Sequence, residues 1–336
     1  MFVSYSQKNI LTLLESGKVP GENKSPLHIE TVISNVFVFD DTVYKLYKND
    51  NDFFNKGFRD LSDRDARFNF TKRDFEWNHS LSPSIYLELK GVRVHDDQLQ
   101  FTKLIDAAEE LLIVMNRVDA NDVLFEKLMR GEITKDEAFT MGKQLAQTLK
   151  QARTVKVEGH NYHQLFADRI KDLREWMQSV TEHISKEESS EYCDFLEAFR
   201  NKNRKLFEGR LSNELAHSGD SHSQNAIFSN GTLYLIDTFP PKEEWLIEHQ
   251  LMPLYRIGAD IWGLSGDKGL FDSFVAGYEN EGGLKVDHDL DSFFVIYASA
   301  IMVSYLYMLQ RTDTDKKEAA KRLHEFIRKY YESSMH

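Results

Sequence analysis

Cysteine is nearly absent from this chain, with one in 336 residues, Cys193. A single thiol excludes an internal disulfide and fits a reducing compartment. Cys193 also sits in an amphipathic helical pattern with no local base, which is poor ground for a Cys–His nucleophile. Positive charge is the minority sign: 42 Lys and Arg against 54 Asp and Glu, a net charge of −12. That balance argues against a general nucleic-acid or anionic-membrane binder. The N-terminus has no basic-then-apolar leader pattern, so a cytoplasmic location is expected. No internal repeat or low-complexity tract occurs. Gly-x-x-x-x-Gly-Lys-Ser/Thr is missing, and so is Gly-x-Gly-x-x-Gly. His160 and His163 lie three apart, and with His217 and His222 elsewhere no zinc ligand set emerges. Long apolar runs are limited to Phe293 to Leu309, which carries no charge but includes serines and tyrosines. A buried core helix explains that run better than a membrane span.

What is there centres on His217-Ser-Gly-Asp220-Ser-His222-Ser-Gln-Asn225, followed by Thr232-Leu-Tyr-Leu-Ile-Asp237. An Asp, an Asn five residues later and an Asp at the end of a short apolar run are the groups that phosphoryl transfer needs. One carboxylate, Asp220, receives the proton of the attacking hydroxyl. An amide oxygen, Asn225, and a second carboxylate, Asp237, hold the Mg²⁺ that neutralises the phosphates of ATP. Ser229-Asn-Gly231 predicts a tight hairpin that returns the chain, so that Asp237 faces the other two.

Ahead of this stretch the pattern is rich in strands. A short helix is expected over Ile10 to Glu15, then strands over Thr31 to Phe39 and Thr42 to Tyr47, joined at Asp40-Asp41. Alternation puts Val43, Lys45 and Tyr47 on one face of the second strand. Lys45 is the candidate for the α- and β-phosphates, with Lys48 as fallback, and Ile33-Ser34-Asn35 would form the turn over the phosphates. A charged helix is expected over Ser62 to Ser80, from which Asp74 or Glu76 could pair with Lys45. Ile85 to Leu89 and Leu111 to Met115 read as further strands. Met115-Asn116-Arg117 reads as a hinge whose backbone meets adenine, making Met115 and Arg117 candidate nucleotide contacts. Beyond it, helices are expected over Leu124 to Met129, Lys135 to Gln151, His163 to Val180 and Ser189 to Phe207. The organisation is α+β and bilobal: a small β-rich nucleotide lobe over residues 1–117 and a large helical lobe over 118–336 carrying the catalytic loop.

Laid out this way, the chain resembles the aminoglycoside phosphotransferase-like kinases, of protein-kinase-like fold, from Ile29 to about Tyr331. The resemblance rests on Ile29-Glu-Thr-Val-Ile-Ser-Asn-Val-Phe37, Tyr44-Lys-Leu-Tyr-Lys48, Asp74 to Asn78, Leu81-Ser-Pro-Ser-Ile-Tyr-Leu87 and Gly219-Asp220-Ser-His222-Ser-Gln-Asn225. It implies that Asp74, one methylene shorter than the family's Glu, is the partner of Lys45. It also implies that Asp220 is the catalytic base and that Asn225 and Asp237 are the metal ligands. In Arg256-Ile-Gly-Ala-Asp260, Asp260 would brace the catalytic loop. The chain departs from the family at Ser218, where relatives carry His, and after Asp237, where Thr-Phe-Pro-Pro replaces a segment with an acidic residue. A helix over Tyr297 to Ser304 also stands where relatives have a more basic one. The expected activity is ATP- and Mg²⁺-dependent transfer to a hydroxyl of a small molecule. A protein or peptide kinase and a nucleotide-binding pseudokinase are the alternatives.

Overall fold

The computed structural model describes residues 7–50, 55, 60–103, 105–152, 154–155, 162–209, 215–216, 220–240, 251–283, 285–309 and 314–335. The chain divides into two compact units, one formed by Met1–Asp119 with Thr238–Pro240, the other by Ala120–Asp237 with Pro241–His336. The first unit is built on an antiparallel sheet of six strands in the order β1-β2-β3-β6-β4-β5. These are β1 (Leu27–Glu30), β2 (Ser34–Val38), β3 (Thr42–Tyr47), β4 (Tyr86–His95), β5 (Gln98–Thr102) and β6 (Glu110–Asn116). Of the run Thr31 to Phe39 expected as one strand, β2 takes Ser34–Val38, because Thr31 hydrogen-bonds back to Ser34 and turns the chain; β1, ahead of that run, was not expected. β5 follows β4 through Asp96-Asp97, both at positive φ, a two-residue turn whose backbone twist suits a hairpin. Its polar Gln98 and Gln100 conceal the strand in the sequence.

Strand partners share a face, so the pairing register sorts the unit's residues into two layers. Phe37, Tyr44, Leu46, Leu112 and Val114 point to one side and form a buried core with Ile10, Leu13 and Leu14 of α1 (Gln7–Glu15). Val36, Val38, Val43, Lys45, Ile113 and Met115 point to the other. There α2 (Arg64–Leu81) covers the β4 and β6 portion through Phe68, which packs with Leu89, Ala108 and Leu111. α2 starts at Asp63, whose side chain accepts from the Ala66 N–H at 2.8 Å. It ends at Ser82, the residue before Pro83, where the helical conformation is disfavoured.

The second unit is mainly helical: α3 (Leu124–Arg130), α4 (Lys135–Gln151), α5 (Tyr162–Gln178), α6 (Lys186–Lys202), α7 (Arg204–Gly209), α8 (Met252–Ser265), α9 (Lys268–Asn280), α10 (Asp291–Leu309) and α11 (Thr314–Ser334). The short pair β7 (Thr154–Val155) and β8 (Leu215–Ala216) and the hairpin of β9 (Ala226–Ser229) with β10 (Thr232–Leu235) complete it. The helix expected over Ser189 to Phe207 is two helices, α6 and α7, meeting at Asn203. α10 contains the uncharged run and is buried over most of its surface, with Phe293, Phe294, Ile296 and Ala300 at 0% exposure and Ile301, Tyr305 and Met308 half-buried on one face. Its rings join Phe166 and Phe207 in one aromatic cluster. Among the described residues, one helical span, His288–Met308, is long and apolar enough to cross a membrane, and 78% of it is buried inside the protein, as in a core helix.

Candidate active site

In the first unit the sheet face opposite α1 holds Lys45, which is 3% exposed. Its ammonium lies 3.8 Å from Asp74 Oδ2 of α2 and 4.8 Å from the centre of the Tyr47 ring. The ion pair is longer than a hydrogen bond, as expected from the shorter acidic side chain. Glu76, the other acidic candidate on this helix, is an exposed residue. Asn78, one turn on from Asp74, donates from Nδ2 to Asp74 Oδ1 at 3.1 Å and to Thr238 O at 2.8 Å. Its Oδ1 accepts from the Thr238 N–H and hydroxyl, each at 3.1 Å, and Trp77 Nε1 donates to the same hydroxyl at 3.0 Å. Thr238 is the residue next to Asp237, so this buried network holds the chain that follows the candidate metal ligand.

Towards β1 the same face is open and apolar. Leu27 and Ile29 are 65% and 45% exposed, beside the half-buried Val36 and Val38. A groove of about 450 Å³ beside the β2–β3 turn is lined by the loop Gly21 to Ser25 and by Leu27, Val38, Thr42 and Arg117 among others. Met115 of β6 pairs with Val43. Arg117 is committed to the protein: its N–H donates to Asp41 O at 2.9 Å, and its guanidinium donates to Phe39 O and Asp40 O. The Asn116 N–H likewise donates to Ile85 O. The turn between β1 and β2 is Thr31 to Ile33, and Ser34 and Asn35, expected within it, are buried strand residues. Lys48, the fallback phosphate ligand, is tied to that turn through Thr31 O (2.6 Å) and Glu30 Oε1 (2.7 Å).

Five non-glycine residues take positive φ among the described residues of the chain. Asp96, Asp97 and Asn230 are hairpin turns, a routine use of that conformation. The other two are Asp220 (φ 69°) and Asp237 (φ 51°). Backbone strain outside tight turns concentrates where a side chain has to be aimed. Asn225 lies between them and donates from Nδ2 to Asp220 O at 3.0 Å and to Asp237 O at 3.3 Å. With the amide nitrogen spent on both carbonyls, its oxygen is the atom left for a ligand. The β9–β10 hairpin sets this spacing, and the Ile236 N–H closes it onto Asn225 O at 2.9 Å.

The Asp220 carboxylate is about one-third exposed and accepts from Arg256 Nη2 at 3.0 Å. His222 Nδ1 faces the Gln224 N–H at 3.2 Å, and its Nε2 lies 3.6 Å from Asp220 Oδ1. Burial opposes ionisation of Asp220, but the His222 ring and the Arg256 guanidinium overcome it and hold the carboxyl well below the usual range. Asp260 is one turn along α8 from Arg256 and fully buried, and it accepts from the Ser223 N–H at 2.9 Å. Burial raises its pKa, and the bond from Ser223 acts against that rise. α8 therefore grips the loop at two points four residues apart.

Sequence reasoning missed Tyr305 of α10. Its ring centre is 6.2 Å from that of His222. Burial, then the charges of Asp220 and Asp237, push its phenol up to about 12. No motif flagged it, because it belongs to a run that reads as plain core. The roles of Asn78 and Thr238 were equally hidden, since 160 residues separate them. His217, Ser218, Gly219, His160 and Pro241 lie outside the described residues. No cluster of three or more His, Cys, Asp and Glu suited to a metal occurs among the described residues.

No protein-family model matches the chain, and no curated protein does. Solved structures do. The GDP and kanamycin complex of an aminoglycoside phosphotransferase, APH(2'')-IIIa, superposes with a TM-score of 0.54 at 12% identity, covering 96% of this chain and 99% of that one. A glucosamine kinase in complex with glucosamine, ADP and inorganic phosphate gives 0.52 at 12% identity, over 93% and 82% of the two chains. The chain therefore has the protein-kinase-like fold of these structures, a β-sheet unit and a larger helical unit.

Proposed function

We propose that this protein is a phosphotransferase that moves the γ-phosphate of ATP to a hydroxyl of a small molecule, with Mg²⁺. The observation that carries the reading is the pairing of Asp220 and Asp237, both at positive φ and bridged through their carbonyls by Asn225. Residues 1–117 would form the nucleotide lobe. Val38, Val43 and Met115 offer an apolar bed for the base, and Lys45, oriented by Asp74, would hold the α- and β-phosphates. Residues 118–336 would form the catalytic lobe. Asn225 and Asp237 would supply oxygen ligands of the kind Mg²⁺ prefers.

Asp220 stays ionised through its contacts with His222 and Arg256. It acts by orienting the acceptor hydroxyl and receiving its proton late, which suits a transfer whose barrier falls mainly through positioning and electrostatics. The solved structures of like fold hold kanamycin or glucosamine beside a nucleotide. The acceptor class we favour is therefore a small polar molecule rather than a protein.

The test is consumption of ATP or GTP against a panel of aminoglycosides, amino sugars and other hydroxylated metabolites, with Asp220→Asn as the blank. Asp220→Asn is nearly isosteric and should keep the fold and nucleotide affinity. Its turnover should fall by a factor on the order of 10²–10⁴, the worth of a positioned general base. Wild-type turnover in that variant would remove Asp220 from the chemistry.

A further inference from the structure

The sheet register sets a direction along the open face of the first unit. Val43 pairs with Met115 at one end, Lys45 follows two residues on, and Tyr47 pairs with Ser34 at the other end. A nucleotide with its base near Met115 and its phosphates at Lys45 therefore runs towards the β1–β2 turn, about 7 Å further along the strand. That turn, Thr31-Val-Ile33, contains no glycine. It is held by a closed set of bonds instead. Thr31 Oγ1 accepts from the Ser34 N–H at 2.9 Å, and the Thr31 N–H donates to Ser34 O at 2.8 Å. The Lys48 N–H donates to Ile33 O at 2.9 Å. Above these, the Lys48 ammonium, 11% exposed, donates to Thr31 O and to the Glu30 carboxylate.

We propose that Lys48 is a positioning residue, an ionic staple that fixes the β1–β2 turn at the triphosphate end of the nucleotide site. A flexible glycine-rich loop has to be ordered when nucleotide binds. A turn already held by a largely buried ammonium avoids that ordering cost. The staple needs both partners. Glu30 supplies the charge that holds the ammonium on the turn, and the Lys48 hydrogen bond and charge depress its pKa, so it is ionised at neutral pH. Lys48 is thereby distinguished from Lys45, which lies on the sheet face and reaches Asp74.

This inference rests on the phosphotransferase reading above, and its test separates the two. Calorimetry would measure the affinity of the full chain for a non-hydrolysable ATP analogue with Mg²⁺ and for adenosine, in wild type, Lys48→Met, Lys48→Arg and Glu30→Gln. Lys48→Met and Glu30→Gln should each weaken the analogue by roughly three- to tenfold, the worth of one side chain's ordering. Both should leave adenosine affinity and Tm near wild type, and Lys48→Arg should restore most of the loss. Unchanged analogue affinity in Lys48→Met overturns the staple. So does Glu30→Gln binding the analogue as well as or better than wild type, because Lys48 freed from Glu30 would then be a phosphate ligand itself. An equal loss for adenosine also overturns it, since the whole sheet rather than the turn would be disturbed. Wild type that binds no analogue at all overturns the phosphotransferase reading, and the staple with it.

Discussion

Asp220 carries opposing influences in one side chain. Surrounding protein disfavours its charge, yet His222 and Arg256 keep the carboxyl below the value of an unfolded chain, about 3.9. The sign of the consequence follows from linkage. A carboxyl depressed in the native state stabilises the fold above its unfolded pKa, and that contribution is lost as the pH falls through the native value. The acidic limb of a pH–rate profile at neutral or mildly acid pH should therefore not report Asp220. Arg256→Met should raise the pKa of Asp220, because it removes one of the two groups that oppose the effect of burial. Titration of the Asp220 carboxyl followed by NMR in the two proteins tests this, and an unchanged midpoint would mean that Arg256 does not help to set the charge of Asp220.

Among the elements, α4 and α9 are locked by glycine. A Cβ on Gly142 would sit 1.8 Å from Phe274 O, and one on Gly277 would sit 2.0 Å from Phe139 O. Each glycine receives the other helix's carbonyl, so the two backbones meet directly. Alanine favours a helix interior over glycine by up to about 1 kcal/mol, which on propensity alone would make Gly142→Ala stabilising. The clash is with backbone, which cannot rotate away as a side chain can. We expect Gly142→Ala to lose about 1–3 kcal/mol or more by urea denaturation. A gain would show that the helices can separate at no cost. α10 illustrates a different constraint: a helix apolar all round shows no amphipathic stripe, and so its sequence does not say which residue borders the candidate site.

For the molecule as a whole, ligand linkage offers a test that needs no acceptor. A nucleotide that binds only the folded chain raises stability by about 2.7 kcal/mol at 100 times its Kd. If Asn225 and Asp237 hold the metal, the rise in Tm with ATP should be large with Mg²⁺ and small with EDTA. Equal shifts in the two conditions would remove both residues from metal binding. The net charge of −12 makes the metal's part larger, since the triphosphate meets a predominantly acidic chain.

The sequence by itself determined the β9–β10 turn, the end of α2 and the candidate catalytic stretch, because these depend on neighbours within a few residues, whereas the Asp96-Asp97 turn and the break at Asn203 escaped it. Asn230-Gly231 dictated the β9–β10 hairpin, and Ser82-Pro83 the end of α2. Asp220, Asn225 and Asp237 were legible because a single loop and hairpin carry all three. Only the tertiary structure decided which groups act on them. Arg256 reaches Asp220 across 36 residues, and Asn78 reaches Thr238 across 160. Lys45 and Lys48 differ by three positions on one strand end, and their spacing alone could not assign them. The register put one ammonium on the open face beside Asp74 and the other on the Thr31 turn, because alternate strand residues face opposite ways and a buried cation must find an oxygen where it lands.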